Sequence, residues 1–348
     1  MALTLTDREI LDLSTSTLNQ LRKGRLVQFA QKLQHYEVMS RIIRSDRVVF
    51  QGGKGIQQRV MTDHSDAATD VGFFEEDTVQ IKDTLSFVDV PWRHTQTHYA
   101  WDRREMLEND GESEIVDLLR VRRTDGFLSL AAHMEDKFWD TSPDAADQKS
   151  IFPIGYWLPK PTTGQEGFVA NLPTGFTDIG GLDPAVKTGW QHYAADYAAV
   201  SKTDLIAKVR KGVELTQFKS PVGVDDFRMG IGQTNRWYCN IDTRLAIDTI
   251  GESQNENLGR DVASMDGITT LKGAAVIHVP KLNTDAEEPL YGINLDFFYP
   301  VFLRGNFMRE TDPAIVPSMH NAFVVWVDLS WNIYCDDRRR QQVYAKVT

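Results

Sequence analysis

The segment 48–100 restricts the fold of this 348-residue chain more than any other feature. A strand begins at Val48-Val49-Phe50, a returning strand runs from Val79 to Val90, and a polar tip, residues 62–70, lies between them. Two strands joined by a polar tip predict a hairpin. It is long and carries few large apolar side chains, and an isolated two-stranded ribbon is only marginally stable in water. We therefore expect it to pack on a partner, either the rest of its domain or another chain.

A long helix is predicted directly after the hairpin, over residues 110–139. Asp110 or Ser113 would cap it, and the acidic side chains nearby suit its positive first turn. The helix has two apolar faces that differ in phase, and Gly126 lies between them, so we expect a bend or a rotated contact there. The first face comprises Ile115, Leu118 and Leu119, and the second Phe127, Leu130, Ala131, Met134 and Phe138. At about 1.5 Å per residue the helix would be roughly 40 Å long.

The remaining elements predict an α+β fold, with helices early and strands late. Residues 17–47 have helical periodicity interrupted at Gly24, and residues 143–189 are rich in loops, with a short strand at Gly167–Leu172. Further helices are predicted at Thr203–Phe218 and Thr243–Ile250. Further strands are predicted at Arg236–Cys239, Thr269–Val279, Tyr291–Leu295, Val301–Met308, Ala322–Tyr334 and Gln341–Lys346.

Charge is distributed unevenly along the chain. Residues 1–60 contain ten Lys/Arg and five Asp/Glu, a net charge of +5. The rest of the chain has a net charge of −16, and the two sum to −11. The acidic body argues against tight binding of duplex nucleic acid over a large face. The basic N-terminal segment would contact an acidic neighbour or nucleic acid, or would simply be a solvated helix.

The two cysteines, Cys239 and Cys335, are too few for a disulfide framework and do not form a Cys-x-x-Cys pair. We expect free thiols packed in or near strands. No window of about 18 apolar residues would span a bilayer, and Met1 to Arg25 lacks a basic-then-apolar signal pattern. A cytoplasm-like compartment and no membrane association are expected.

Motifs that carry chemistry were sought and not found. Gly52-Gly53-Lys54-Gly55 is followed by Ile56 and by strand-like sequence, which does not fit a phosphate-binding loop. His94 and His98 would align as metal ligands on a helix, but in an extended segment they stand roughly 13 Å apart. No Gly-x-Ser-x-Gly nucleophile elbow occurs. We predict no catalytic residue, no cofactor and no metal site.

Two charged runs have competing interpretations. Glu75-Glu76-Asp77 is interpreted as a solvated face rather than a paired-carboxylate site. Arg338-Arg339-Arg340 follows an apolar strand, and would either grip phosphate or an acidic neighbour or form a solvated turn. These two interpretations of the arginine run remain open at this point.

The order of elements resembles the Hong Kong 97-type fold of tailed-bacteriophage major capsid proteins. The resemblance covers nearly the whole chain and rests on element order, including the helix end Ala131-Ala132-His133-Met134 and the closing strand Ala322–Tyr334. It implies five parts, which are an N-terminal arm (1–47), an extended hairpin loop (48–100), a spine helix with a peripheral domain (101–234), an axial domain (235–303) and a return to the peripheral domain (304–348).

The resemblance implies a structural protein that self-assembles into pentamers and hexamers of an icosahedral shell around viral DNA. The hairpin, Val48 to Ala100, would pack on another copy of the chain. The implied partners are the chain itself, a portal protein, separate scaffolding and decoration proteins, and packaged DNA held weakly and non-specifically. The implied location is the virion capsid, assembled in the host cytoplasm. Intersubunit contacts are expected at Arg22, Arg25, Arg59, Asp66, Phe73, Phe74, Glu75 and Glu76.

Two features of some family members are not expected here. Lys54 and Lys82 lie in the hairpin, but nothing marks them as isopeptide cross-linkers. Only about 15 residues precede the first predicted helix, so a separate scaffolding protein, or numbering that begins after processing, is expected instead of an N-terminal scaffolding segment. Two alternative functions are an encapsulin-like bacterial compartment shell, which shares the fold, and a cytosolic enzyme with a site in the loop-rich region 150–190.

Overall fold

The structure is a computed structural model that describes residues 36–43, 48–63, 67–73, 84–102, 104–105, 112–216, 235–253, 269–316, 319 and 321–347. The chain divides into two compact units. Among the described residues, the first comprises Tyr36 and those in His94–Met134 and Gly305–Ser330, and the second comprises those in Glu37–Arg93, Glu135–Arg304 and Trp331–Thr348.

Four α-helices and fifteen strands occur within the described ranges, together with a short π-helix at Val38–Ile42. The helices are α1 (Glu112–Phe138), α2 (Ile154–Trp157), α3 (Leu205–Thr216) and α4 (Ile241–Ser253). The strands are β1 (Val49–Gln51), β2 (Gly55–Met61), β3 (Leu85–Pro91), β4 (Arg93–Asp102), β5 (Glu166–Val169), β6 (His192–Asp196), β7 (Asn235–Cys239), β8 (Thr270–Leu271), β9 (Ala274–His278), β10 (Leu290–Asn294), β11 (Phe298–Leu303), β12 (Arg309–Glu310), β13 (Ala314–Ile315), β14 (Ala322–Cys335) and β15 (Gln342–Ala345).

The first unit is built on the N-terminal half of β14. Strands β4, β12 and β13 pair with it, and Arg309 lies opposite Asp328 in the antiparallel register. Aromatic rings lie along the pairing of β4 with β14. Trp101 of β4 stacks on Phe323 of β14, with ring centroids 6.0 Å apart. Helix α1 contacts β4 closely at Gly126, where an added Cβ would lie 3.5 Å from Tyr99 Cδ1. The bend or rotated contact expected at Gly126 stays a prediction.

The second unit contains a seven-stranded mixed sheet in the order β5-β6-β15-β10-β7-β9-β8. Helix α3 packs on this sheet through Leu205, Ile206, Val209 and Val213, whose spacing places them on one helical face. Together with Tyr193, Trp237 and Tyr344 they form a hydrophobic core cluster of the unit. The second unit also contains β1 and β11, which pair in parallel with each other. Strand β11 pairs antiparallel with the C-terminal part of β14.

Helix α4 begins where its sequence supplies a cap. The Oδ1 atom of Asn240 accepts a hydrogen bond from the backbone N–H of Thr243 at 2.9 Å. Asp242 lies in the first turn, where a negative charge is favourable. The helix over Thr243–Ile250 predicted from the sequence is thus confirmed and is longer than predicted.

The prediction of one strand over Thr269–Val279 is wrong. Lys272 and Gly273 both have positive φ values, 51° and 81°, and join β8 to β9 as a two-residue hairpin turn. Two consecutive left-handed residues are the requirement of a type I′ turn, and the glycine meets it without strain. The predicted strand Val301–Met308 is also displaced, since the observed strand begins at Phe298 and ends at Leu303.

The hairpin is shorter than the predicted 48–100. Only Gly55–Met61 and Leu85–Pro91 pair with each other, in an antiparallel register that places Ile56 opposite Val90. Strand β1 pairs instead with β11, and the sequence from Arg93 to Asp102 forms the separate strand β4 on β14. The alternating pattern therefore predicted strands correctly. It assigned to one hairpin three segments that in fact pair with different partners.

Candidate interaction surface

The hairpin β2–β3 has two different faces because side chains alternate along each strand. On the inner face, Ile56, Val88 and Val90 are completely buried. The outer face, defined by the paired residues Gln57 and Asp89, Arg59 and Phe87, and Met61 and Leu85, is exposed. The segment thus has one face that belongs to a core and one that contacts solvent.

The inner face packs on its own chain. The backbone N–H of Asp89 donates to the carbonyl oxygen of Gly180 at 3.0 Å, and Val88 lies against Gly180. The expectation that Val48 to Ala100 packs on another copy of the chain is therefore wrong for this face. The physical reason is that residues 179–190 of the same chain supply the packing partner that an isolated two-stranded ribbon needs.

The outer face carries large apolar side chains in water. Met61 is 57% exposed, Leu85 52% and Phe87 61%. The guanidinium of Arg59 lies over the ring of Phe87, with Cζ 5.7 Å from the ring centroid. This cation–π contact orients Arg59 along the strip and leaves the apolar side chains accessible. A contiguous apolar strip on an otherwise polar hairpin is typical of an interaction surface.

The predicted contact residues fall into two groups. Arg59 lies on the outer face, and Phe73, which belongs to the segment 67–73 between the two strands, is 98% exposed. Arg22, Arg25, Asp66, Phe74, Glu75 and Glu76 lie outside the described residues. Met61, Leu85 and Phe87 were missed, although their alternation with buried residues was the available signal.

The arginine run has neither of the two predicted roles at its first position. Arg338 is completely buried and donates hydrogen bonds to the carbonyl oxygens of Trp157 (2.9 Å) and Trp190 (2.7 Å) and to Nδ1 of His192 (2.9 Å). Burial lowers the pKa of Arg338 to about 10, which leaves it charged at pH 7. Both predictions, a grip on phosphate or an acidic neighbour and a solvated turn, are wrong for Arg338, because its Nε, Nη1 and Nη2 atoms donate to buried acceptors of its own chain.

A second buried charged group lies at the end of α1. The carboxylate of Glu135 accepts hydrogen bonds from the backbone N–H groups of Glu37 (3.2 Å) and Val38 (2.9 Å) and from Nε1 of Trp139 (2.7 Å). Burial raises the pKa of Glu135 to about 7 against the opposing effect of these hydrogen bonds. The contact anchors the residues that follow the N-terminal segment.

His94, His98 and both cysteines are engaged within the fold. Nδ1 of His94 lies 2.6 Å from Oγ of Ser330, and the ring of His98 lies against Trp326 with centroids 4.8 Å apart. Cys239 and Cys335 are buried free thiols, as predicted, and burial raises the pKa of Cys239 to about 12. Across the described ranges, no three His, Cys, Asp or Glu side chains are grouped as metal ligands. None of the described helices is long and apolar enough to cross a membrane.

Two small cavities lie in the second unit. One has a volume of about 270 Å³ and lies between Trp139–Ser142 and the residues around Asp285. The other has about 170 Å³ and is lined by Ile151, Phe152 and Phe176, within the region proposed for an enzyme site. Ligand pockets usually measure about 300–1,000 Å³. Both volumes lie below this range.

Comparison with known proteins identifies the fold. The structure described as the cyanophage A-1(L) capsid asymmetric unit is 13% identical with a TM-score of 0.66, over 92% of this chain and 95% of that chain. The capsid of a native GTA particle is 13% identical with a TM-score of 0.54, over 93% and 95%. A structure from Gordonia phage Cozz is 11% identical with a TM-score of 0.51, over 100% and 97%. No known protein family and no curated protein matches the sequence. The chain has the α+β fold of Hong Kong 97-type capsid proteins, as its element order predicted.

Proposed function

We propose that this chain is a major capsid protein that self-assembles into pentamers and hexamers of an icosahedral shell enclosing viral DNA. The observation that carries the proposal is the exposed apolar outer face on a hairpin within a capsid fold. The proposed parts are an arm at 1–47, an extended hairpin loop at 48–100, a spine helix and peripheral domain at 101–234, an axial domain at 235–303 and a return at 304–348.

The outer face supplies the free energy that assembly needs. Burying the exposed parts of Met61, Leu85 and Phe87 against a neighbouring copy would contribute on the order of 3 kcal/mol per contact. Each contact alone is weak, but a closed ring of five or six copies multiplies it around the symmetry axis. Arg59 would lie within this contact, opposite Phe87, and Phe73 would extend the contact toward the tip of the hairpin. The outer face thus suits reversible assembly of a regular shell.

The remaining parts of the proposal concern partners and location. The chain is a structural protein without enzymatic activity and is located in the virion capsid, after assembly in the host cytoplasm. A portal protein and separate scaffolding and decoration proteins are its proposed partners. The net charge of −11 supports weak and non-specific contact with the packaged DNA.

The test is a charge introduced on the outer face. Phe87→Asp places a carboxylate where the proposed contact is dry, and we expect loss of assembled particles with a folded subunit retained. Leu245→Asp is the matched control, since Leu245 is 55% exposed on α4 and lies outside the hairpin. Analytical ultracentrifugation and electron microscopy measure assembly, and circular dichroism measures folding. Assembly of the Phe87→Asp variant at the wild-type level would contradict the proposal.

A further inference from the structure

The hairpin is held by a second segment of its own chain, residues 179–190, which we call the cradle. Gly180 contacts β3, and Lys187 and Gly189 contact the two residues that follow β2. The hairpin residues contacted are Val88 and Asp89 on one side and Thr62 and Asp63 on the other. The cradle therefore contacts the hairpin at two separate places.

The two contacts are far apart along the hairpin. Asp89 lies opposite Gln57 in the register, and the other contact begins at Thr62, five residues further along β2. At about 3.3 Å per residue, these contacts are separated by roughly 17 Å. A rod held at one point can pivot, whereas a rod held at two separated points has a defined direction.

Each contact is close and directional. Gly180 has a φ of +64°, and a Cβ added there would lie 2.6 Å from Cγ1 of Val88. At Gly189, an added Cβ would collide with the carbonyl oxygen of Thr62. Glycine at both positions lets the cradle backbone approach the hairpin closely. Next to the Gly189 contact, Nζ of Lys187 forms an ion pair with Oδ2 of Asp63, and both side chains are partly buried, at 30% and 20% exposure.

The cradle is itself fixed to the core. The backbone N–H of Gly180 donates to the hydroxyl of Tyr156 at 2.8 Å, and Nε1 of Trp190 donates to the carbonyl oxygen of Ile179 at 2.9 Å. Trp190 is in turn bound through its carbonyl oxygen to the buried guanidinium of Arg338. These buried hydrogen bonds make the cradle a rigid support for the hairpin.

We propose that the cradle sets the direction of the hairpin β2–β3 relative to its own subunit core, and so sets the curvature and diameter of the assembled particle. Gly180, Lys187 and Gly189 are then positioning residues, because they act through the hairpin and not by touching the neighbouring copy. This inference rests on the proposed function. It adds the residues that determine the geometry of assembly.

The test uses the ion pair between Lys187 and Asp63. Because both side chains are partly exposed, we expect substitutions there to leave the subunit folded. Lys187→Glu places two negative charges together at Asp63. We expect amide hydrogen exchange in residues 55–61 and 85–91 of the unassembled subunit to rise about five-fold, and particle diameters in cryo-electron microscopy to become heterogeneous. The charge swap Asp63→Lys with Lys187→Asp should restore both quantities. Lys202→Glu, the same charge change at an exposed lysine, is the control and should alter neither.

Gly189→Ala is a second, independent variant. Its methyl group would collide with the Thr62 backbone without changing the charge of the contact. We therefore expect a shifted particle diameter. Unchanged exchange and diameter in Lys187→Glu would overturn the cradle proposal. A raised exchange rate with unchanged diameters would overturn its geometric part. Failure of the wild-type chain to assemble would instead overturn the proposed function, so the two failures are distinguishable.

Discussion

Nη2 of Arg338 donates to Nδ1 of His192 at 2.9 Å, in a site where both side chains are completely buried. An acceptor at Nδ1 requires the neutral imidazole with its proton on Nε2, and Nε2 lies 2.9 Å from the carbonyl oxygen of Pro159. Burial and the charge of Arg338 hold the pKa of His192 well below its usual range, in agreement with this tautomer. One guanidinium and one imidazole thereby join the closing segment to the loop-rich region 150–190.

Arg338→Lys is expected to destabilise the fold by about 2–5 kcal/mol. A single ammonium cannot reach the carbonyl oxygens of Trp157 and Trp190 and the ring of His192 together, so buried acceptors lose their donors. Urea unfolding followed by tryptophan fluorescence measures the loss. The neighbouring change Arg339→Gln is the control, because Arg339 is partly exposed and pairs with Asp337, and should cost about 1 kcal/mol or less. Equal losses for the two variants would contradict the assigned role of Arg338.

Glu135 makes stability depend on pH. Its pKa in the folded chain, about 7, lies above the ordinary value of 4.5, so the folded chain retains a proton that the unfolded chain releases in this interval. The contribution of Glu135 is therefore fully present below pH 4.5 and is lost as the pH rises through about 7. The size of this loss is on the order of 3 kcal/mol.

Glu135→Gln removes the titrating proton and retains the size of the side chain. The difference in unfolding free energy between wild type and variant should therefore change between pH 4.5 and 8, with the wild type losing more stability as the pH rises. Hydrogen exchange at residues 37–43, which Glu135 anchors, should show the same trend after correction for intrinsic rates. Parallel pH profiles for the two proteins would refute the coupling.

Two helical glycines provide a matched pair with opposite expected effects. A Cβ at Gly212 in α3 would lie 2.7 Å from Cε1 of the buried Tyr193 and would collide with the hydroxyl of Tyr344, so Gly212→Ala should cost about 1–3 kcal/mol. Gly251 in α4 has open space around it, so Gly251→Ala should stabilise the fold by about 0.5–1 kcal/mol. Thermal unfolding of both variants checks the difference in sign. Stabilisation by both substitutions would show that α3 does not pack as closely as described.

The sequence predicted α1 and β14 well because α1 is a long segment with helical spacing on each of its two apolar faces and β14 is a long apolar run. It failed at Lys272-Gly273, where a two-residue turn interrupts what looks like a continuous apolar strand. The turn at this lysine–glycine pair leaves little trace in the hydrophobic pattern, since Leu271 and Ala274 on either side of it are both buried. Such a turn can be predicted only when the lysine–glycine pair itself is recognised as a turn signal within the strand-like segment.

The candidate surface was half predictable for a related reason. Alternation in β2 and β3 shows that the segment has two faces, but not which face a distant segment covers. The cradle covers the inner face from about 90–120 residues further along the chain, through Gly180 and Gly189. The role of Arg338 was hidden likewise, because a run of three arginines gives no sign that the first of them enters the core.

The central claim is that this chain forms shells by self-association, and electron microscopy of the purified 348-residue chain tests it most directly. We predict closed particles of uniform diameter, or free pentamers and hexamers, that disappear in the Phe87→Asp variant. A chain that stays monomeric at high concentration, with the outer face of the hairpin exposed and the fold intact, would contradict the account.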